Sequence, residues 1–267
     1  MTTQAATQSR RVFLSASIPP ADLLQLRQRE DAWEDYYLGF LTDPEEVETA
    51  IRGLVTQLLG AGVTLVFGGH PTITPIITDI GRRVQRTEDV SIEIYQSAFF
   101  AGREAFDRRH DGLIFRRILW TPLCRPSISG PEPCTSPFAL GEYPLDRADH
   151  LVCAEELAHL SEEDRLAWRD ASLAFLRREM ISGCDAALFL GGMGRLEEEL
   201  ELFRELNPGR PAWLVSRPGG RTARLVQRFQ TGDPPGLPWH PEMGRDYDAM
   251  ALGVLRELGG SPGGRSS

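Results

Sequence analysis

The residues with the clearest capacity for chemistry follow a short apolar run in the second half of the chain. Gly191, Gly192 and Gly194 come directly after residues 185–190, and a helix that opens with glutamates at 197–199 follows them. Glycines at such a turn let a ligand approach backbone N–H groups closely, and a helix N-terminus attracts anions. Glutamates in the first turn would repel a phosphate placed there. We therefore expect carboxylate chemistry or ribose hydroxyl binding beside the loop, unless the glutamates only stabilise the helix start.

Two further glycine turns follow apolar runs of the same kind. Gly68 and Gly69 follow one run directly, and Gly219 and Gly220 come shortly after another. Because the carboxyl ends of parallel strands meet at one edge of a sheet, we expect all three turns to converge on one crevice. This convergence, more than any single motif, favours a nucleotide-like ligand, since a lone glycine pair is weak evidence.

Polar side chains lie in or near these turns. Ser15 and Ser17 end the first apolar run of the chain, and His70 and Thr72 lie in the turn after the second run. Hydroxyl and imidazole groups at the carboxyl ends of parallel strands are placed to bind a ligand. Serine and threonine also form turns and caps, and a lone histidine is more often structural. Both interpretations stay open for these four residues.

Two adjacent arginines, Arg177 and Arg178, lie near the end of the helix predicted over residues 161–181. One of these guanidinium groups could reach over the crevice and hold a ligand phosphate, since bidentate contacts of arginine with phosphate are strong. Alternatively, the pair is a solvated basic helix end that the helix dipole favours.

Strand and helix patterns alternate along the chain. Apolar runs predict strands over residues 11–17, 63–67, 91–96, 112–121, 185–190 and 211–215. Periodicity and capping residues predict helices over residues 44–60, 72–85, 161–181 and 247–258, from residue 194 and after residue 220, with a partly helical excursion over 21–41. This alternation predicts an α/β fold with a doubly wound, mainly parallel, Rossmann-like sheet.

Composition along the chain predicts its domain organisation. We expect a disordered arm over residues 1–10, a single Rossmann-like domain over 11–230, a connector and helix over 231–258, and a flexible tail over 259–267. Residues 122–149 contain six prolines and form an insert in the domain. Loops of this length are usually functional lids or disordered, and the sequence leaves both alternatives open.

Charge and cysteine content narrow the class of protein. The 267 residues carry a formal net charge of -9, which argues against binding to nucleic acid polymers or anionic membranes. No apolar run approaches the roughly 18 residues that span a bilayer, and the N-terminal residues lack the apolar core of a secretory signal. The four cysteines include no CxxC pair. We therefore expect reduced thiols, a cytoplasmic protein, and no metal and no cofactor, with Cys184 as a small core residue.

The residues from Glu179 to Glu198 are similar to the signature of the Rossmann-like SLOG superfamily. This superfamily includes the Lonely Guy cytokinin-activating phosphoribohydrolases, and its signature is PGGxGTxxE, preceded by an arginine on the upstream helix. RVFLSAS at residues 11–17 and VFGGH at residues 66–70 resemble the first two strand exits of the family. FGGHPTITP, the IYQS strand and the GGM turn resemble still more closely the SLOG proteins of prokaryotic nucleotide-signalling and defence systems.

The resemblance implies roles for individual residues. Glu198 matches the signature glutamate, which acts on the ribosyl transition state in the enzymes. Gly191, Gly192 and Gly194 match the phosphate loop, with Met193 between them also expected at the ligand.

The chain also departs from the family pattern. Leu190 replaces the signature proline and Arg195 replaces the threonine, while Arg177 or Arg178 matches the helix arginine with a register shifted by one or two positions. The lost threonine hydroxyl removes a phosphate donor, and Arg195 either substitutes for it or indicates a different ligand. These changes weigh against hydrolysis more than against binding.

Three functions are compatible with these residues. The first is a sensor that binds a nucleotide-derived signal, such as an ADP-ribose-like molecule, and acts through a separate effector protein. The second is a nucleoside 5′-monophosphate phosphoribohydrolase, in which Glu198 supports N-glycosidic cleavage. The third is an oligomerisation scaffold with a vestigial pocket. We place binding ahead of catalysis, expect a homo-oligomer, and expect no nucleic acid or membrane partner.

Overall fold

The computed structural model of the chain describes residues 10–19, 41–84, 91–100, 116–133, 141–142, 157, 159–192, 194–232, 239–242 and 246–259. The predicted arm over residues 1–10, the excursion over 21–41 and the tail over 259–267 fall almost wholly outside these residues. Within the described part of the chain, none of the helices is long and apolar enough to cross a bilayer.

Strands and helices alternate over most of the described chain. The strands are β1 (Arg11–Ser17), β2 (Thr64–Phe67), β3 (Ile92–Ser97), β4 (Arg116–Thr121), β5 (Cys124–Arg125), β6 (Glu132–Pro133), β7 (Gly141–Glu142), β8 (Ala186–Gly191), β9 (Ala212–Val215) and β10 (Trp239–Glu242). The α-helices are α1 (Pro44–Gly60), α2 (Thr74–Val84), α3 (Glu162–Ile181), α4 (Leu196–Leu206), α5 (Gly220–Thr231) and α6 (Tyr247–Glu257).

One large sheet organises the molecule. Its strand order is β10-β9-β8-β1-β2-β3-β4-β7, and neighbouring strands are parallel except for β4 and β7. The chain adds strands outward from β1 in one direction and outward from β8 in the other, so the winding reverses between β1 and β8. The predicted doubly wound, mainly parallel α/β fold is confirmed. In such sheets a crevice forms beyond the carboxyl ends of the strands at the point of reversal.

Helices cover both faces of the sheet because the central strands bury side chains on each side. Along β1, Val12 and Leu14 pack into the layer that contains α1, α2 and α6, whereas Phe13 packs into the layer that contains α3, α4 and α5. The helices that follow β1 and β8 therefore lie on opposite faces of the sheet. This separation of the two connections opens the crevice between them.

Local sequence signals fix the starts of two helices. The Asp43 carboxylate accepts the backbone N–H groups of Glu45 and Glu46 at the start of α1. At the start of α3, Ser161 Oγ accepts the Asp164 N–H at 3.1 Å and donates to the Asp164 carboxylate at 2.7 Å. These short polar side chains satisfy N–H groups that have no partner within the helix, and so they fix where the two predicted helices begin.

Two segments contain strands that the sequence did not predict. β10 lies within residues 231–258 and extends the sheet beside β9. In the Pro-rich insert, β5 pairs with β6 and β7 pairs with β4, both antiparallel. Proline lacks a backbone N–H and is confined to edge strands, which is why these short segments read as loops.

An ion-pair cluster stabilises the amino ends of the strands, opposite the crevice. Arg11 Nε and Nη2 donate to Glu93 Oε2 at 3.1 and 2.7 Å, and Nη2 donates to the Tyr95 hydroxyl at 3.1 Å. These contacts tie β1 to β3. Burial also raises the pKa of the nearby Cys184 thiol to about 12, so this cysteine stays protonated at neutral pH as a core residue.

Candidate functional site

The crevice at the reversal point begins where β1 and β8 end together. Ser17 and Gly191, the last residues of these strands, are in register, and Ser15 is in register with Phe189. The next described helices after these strands, α1 and α4, lie on opposite faces of the sheet. The predicted serines Ser15 and Ser17 therefore lie beside the turn that follows β8.

A carboxylate at this edge connects three elements. Ser15 Oγ donates to Glu199 Oε2 at 2.6 Å, and Arg177 Nε lies 3.4 Å from Glu199 Oε1. Ser15 belongs to β1, Glu199 to the first turn of α4 and Arg177 to the last part of α3. The side chains of Arg177 and Glu199 are only 13% and 18% exposed. The cluster of Ser15, Arg177 and Glu199 therefore holds a carboxyl group between a hydroxyl and a guanidinium group, largely shielded from water.

The electrostatic setting of Glu199 is unusual for a glutamate in a first helical turn. Burial raises its pKa above the ordinary value of 4.5, while the Ser15 hydroxyl and the Arg177 guanidinium offset part of that rise. Desolvation penalises the charged carboxylate, whereas a donor and a cation favour it. Carboxyl groups with a raised pKa and a specific charged partner concentrate at functional sites, where they bind hydroxyl groups or exchange protons.

The acid that the sequence pattern selects, Glu198, lies outside this cluster. Its side chain is 62% exposed and its Oε2 atom is 3.7 Å from Arg195 Nη1. Arg195 also contacts Asp170 of α3 at 3.3 Å. Its φ of 68° makes it the one non-glycine residue with a left-handed backbone among those the structure describes. Arg195 and Glu198 therefore form an outer, solvated rim, and Glu199 is the carboxylate that faces Ser15.

The glycine turns after β8 and β9 pack directly on each other. The Arg221 N–H donates to the Gly192 carbonyl at 3.0 Å, and Thr222 Oγ1 donates to the Gly191 carbonyl at 3.0 Å. A Cβ atom at Gly220 would lie 2.5 Å from Thr42 Oγ1 and 2.9 Å from the Gly192 oxygen. These glycines therefore let backbones approach one another, and the chain that enters α1 occupies part of the space they leave.

The segment at residues 41–43 is the part of the chain that uses these glycines. Thr42 forms an isolated antiparallel bridge with Gly219, and the Asp43 N–H donates to the Pro218 carbonyl at 2.8 Å. A Cβ atom at Gly219 would collide with the Leu41 carbonyl oxygen. The sequence pattern predicts a ligand at these turns, and it does not predict that Thr42 packs against them.

The turn after β2 lies beside the end of β1. Thr72 Oγ1 accepts the Ile18 N–H at 3.2 Å and lies 2.8 Å from His70 Nδ1. Gly69 is buried with a φ of 62°, and Gly68 is exposed with Met180 of α3 beside it. Thr72 therefore ties this turn to the end of β1, with His70 beside it and Gly68 exposed.

The remaining predicted residues separate into distinct environments. Arg178 lies away from the cluster, where its Nη1 atom donates to Glu205 at 3.1 Å. Gly194 is exposed in the turn directly before α4, and Met193 lies outside the described residues. In the described part of the chain, no group of three or more His, Cys, Asp or Glu side chains is arranged to hold a metal ion.

Sequence reasoning missed Glu199 although the helical period carries the signal. Leu196 and Phe203 of α4 are buried, and Glu199 lies three residues after the one and four before the other. Residues with these spacings share a helix face. Glu198 lies about 100° away around the helix, which turns its side chain toward solvent.

Comparison with known protein families gives a match over most of the described core. The model of the SLOG cluster3 family matches residues 41–122 and 159–237, which together are more than half of the chain. No curated protein and no solved structure matches the chain. The matched residues include the three glycine turns, Arg177 and Glu199, whereas β1 with Ser15 lies outside them.

Proposed function

Because the chain belongs to the SLOG cluster3 family, we propose that it binds a nucleotide-derived ligand of the ADP-ribose-like class in the crevice beyond β1 and β8. Membership of this family indicates a nucleotide-related function. The position of the crevice supports the proposal, because doubly wound sheets bind ligands at the point where the winding reverses.

The contact of Glu199 with Ser15 and Arg177 is the observation that carries this proposal. A carboxylate beside a glycine turn is suited to accept hydrogen bonds from ribose hydroxyls, as acidic residues do in related sheets. The Arg177 guanidinium, 3.4 Å from that carboxylate, is suited to a neighbouring phosphate. The glutamates at 197–199 keep phosphate off the helix axis, so the sugar lies at α4 and the phosphate toward α3.

A second candidate function is cleavage of the N-glycosidic bond of a nucleoside 5′-monophosphate. The raised pKa of Glu199 favours it, since a carboxylate with a raised pKa is a better general base. Glu199 accepts a proton from water while the water oxygen bonds to the ribose C1′ atom. The bond from C1′ to the base breaks, the base takes the proton that Glu199 accepted from water, and Glu199 returns to the carboxylate form.

Binding and cleavage are separated by one set of incubations with the full chain. AMP and other nucleoside monophosphates are incubated with the protein, and free base is followed by chromatography. Thermal unfolding is followed in parallel with ADP-ribose and with a cyclic dinucleotide. We expect ADP-ribose to raise the Tm, since a ligand at 100 times its Kd stabilises by about 2.7 kcal/mol, and we expect no free base.

Three variants of α4 identify the responsible acid. Glu199→Gln should abolish the effect of ADP-ribose, whereas Glu201→Gln, an exposed acid on the same helix, should not. Glu198→Gln tests the signature position directly. Base release that depends on Glu199 or Glu198 would establish the enzyme instead. Neither stabilisation nor turnover, with all variants alike, would leave a scaffold role and contradict the proposal.

A further inference from the structure

A basic groove lies between α4 and α5, apart from the crevice. Its volume is about 450 Å³. The groove is lined by Glu197, Arg221, Arg224, Gln227, Arg228 and Thr231. Small-molecule sites occupy roughly 300–1,000 Å³, so the groove has the size of a ligand site.

The three arginines of the groove form a row along one side of α5. Arg221, Arg224 and Arg228 follow the spacing i, i+3 and i+7, which places them on a common helix face and spreads them over roughly 10 Å. Leu225 and Val226 of the same helix are buried in the layer between α5 and the sheet.

Glu197 shows where the charges of this row converge. Its Oε1 atom lies 3.0 Å from Arg221 Nε, and its Oε2 atom lies 3.3 Å from Arg228 Nη1. The side chain of Arg221 is only 18% exposed, whereas that of Arg228 is 58% exposed. One carboxylate thus already occupies a position between two guanidinium groups, which is the position an anionic ligand would take.

The lining of the groove is basic, although the protein as a whole is acidic. Among the described residues that line the groove, three carry guanidinium groups and one carries a carboxylate, whereas the whole chain has a formal net charge of -9. Such a local field in an acidic protein attracts small anions without attracting nucleic acid polymers. The planar guanidinium group matches phosphate oxygens in a bidentate manner.

We propose that this groove binds a small molecule that carries a chain of three or more linked phosphate groups. A row of roughly 10 Å is longer than one phosphate needs and matches a short chain of phosphates. The site is separate from the crevice because Glu197 and Glu199 are two residues apart, or roughly 200° around α4. Glu199 faces α3 through Arg177, and Glu197 faces α5 through Arg221 and Arg228.

Calorimetric titration of the full chain with sodium tripolyphosphate tests this site, with orthophosphate at matched ionic strength as the comparison. We expect saturable binding of one tripolyphosphate per chain and at least tenfold weaker binding of orthophosphate. Arg228→Ala should weaken tripolyphosphate binding at least fivefold. Glu197→Gln should tighten it at least threefold, because the variant removes the carboxylate that competes for the same guanidinium groups.

Two controls separate this site from other charges and from the crevice. Arg83→Ala removes a 72% exposed arginine from α2, on the other face of the sheet, and should leave the affinity unchanged. Glu199→Gln should also leave it unchanged while weakening ADP-ribose, so the two sites fail independently. No saturable binding, equal binding of orthophosphate, an unchanged affinity in Arg228→Ala, or weaker binding in Glu197→Gln would each overturn the proposal.

Discussion

At the scale of single residues, the account depends on a carboxyl group that the fold makes costly to ionise. Glu199 is shielded from water and keeps two partners, the Ser15 hydroxyl and the Arg177 guanidinium. Burial is the largest influence on its pKa and acts against both partners. A folded protein that retains such a group gives up stability at that position, and the usual reason is a function that needs the group.

The pH dependence of stability tests this state of Glu199. The pKa of Glu199 is higher in the folded protein than in the unfolded chain, so the folded protein binds this proton more tightly. The stabilising contribution of this group is complete below the unfolded pKa of about 4.3 and is lost as the pH rises through the higher folded pKa. Urea unfolding of the wild type and Glu199→Gln from pH 4 to pH 7 measures the difference. We expect the free energy of unfolding of the variant to increase relative to the wild type across this range.

The other carboxyl groups of the chain cancel in this difference, because both proteins share them. Glu201→Gln, which removes an exposed acid from the same helix, serves as the control for the loss of a carboxyl group. A flat or falling profile for Glu199→Gln would contradict the raised pKa.

Sequence patterns select Ser15, Arg177 and the glycine turns, which the fold brings to one edge of the sheet. They select Glu198, however, where the structure places Glu199. Motif spacing points to Glu198, and spacing along a chain does not include rotation about a helix axis. Rotation depends on where α4 begins, and the loop before it contains Arg195 with a φ of 68°, which no propensity predicts. Arg177 and Arg178 pose the same problem, since only packing against α4 shows which one faces Glu199.

At the scale of elements, the glycine turns combine two roles. Glycines at the strand exits shape the crevice edge, and Gly219 and Gly220 also let the chain at residues 41–43 cross them closely. A sequence pattern reports that small residues are required at a turn. It does not report whether a ligand or another part of the chain fills the space, because that depends on contacts between distant residues.

Substitution of Gly219 by alanine measures this close approach. Gly219 has a φ of 82°, and an added methyl group would meet the Leu41 carbonyl. Gly209 is a matched control, since its φ is 77° and an added methyl group would meet nothing within 4 Å. Gly209→Ala should cost about 1 kcal/mol from backbone strain. Gly219→Ala should cost at least about 2 kcal/mol more, because overpacking adds to the strain and because the ψ of -149° at Gly219 lies in a backbone region that is essentially restricted to glycine.

Urea unfolding of both variants gives the two free energies. Equal losses for Gly219→Ala and Gly209→Ala would show that residues 41–43 do not depend on the glycine, and would contradict the close packing described for this turn.

At the scale of the whole molecule, the fold follows from features that sequence reports well. Buried apolar runs separated by amphipathic helices predict a doubly wound parallel sheet, since this is the arrangement that buries both faces of each strand. The exceptions are at the edges of the sheet. β10 contains Pro241, and β7 is two residues long, so neither carries the apolar run that marks a central strand. The central strands position the crevice, and they were the predictable ones.

Calorimetric titration of ADP-ribose into the full chain, the Glu199→Gln variant and the Glu201→Gln control measures whether Glu199 holds the ligand. We expect saturable binding to the wild type and the control, and at least tenfold weaker binding to Glu199→Gln, a loss of about 1.4 kcal/mol. The same affinity in the wild type and Glu199→Gln would show that the carboxylate beside Ser15 does not contact the ligand, and would contradict the proposed function.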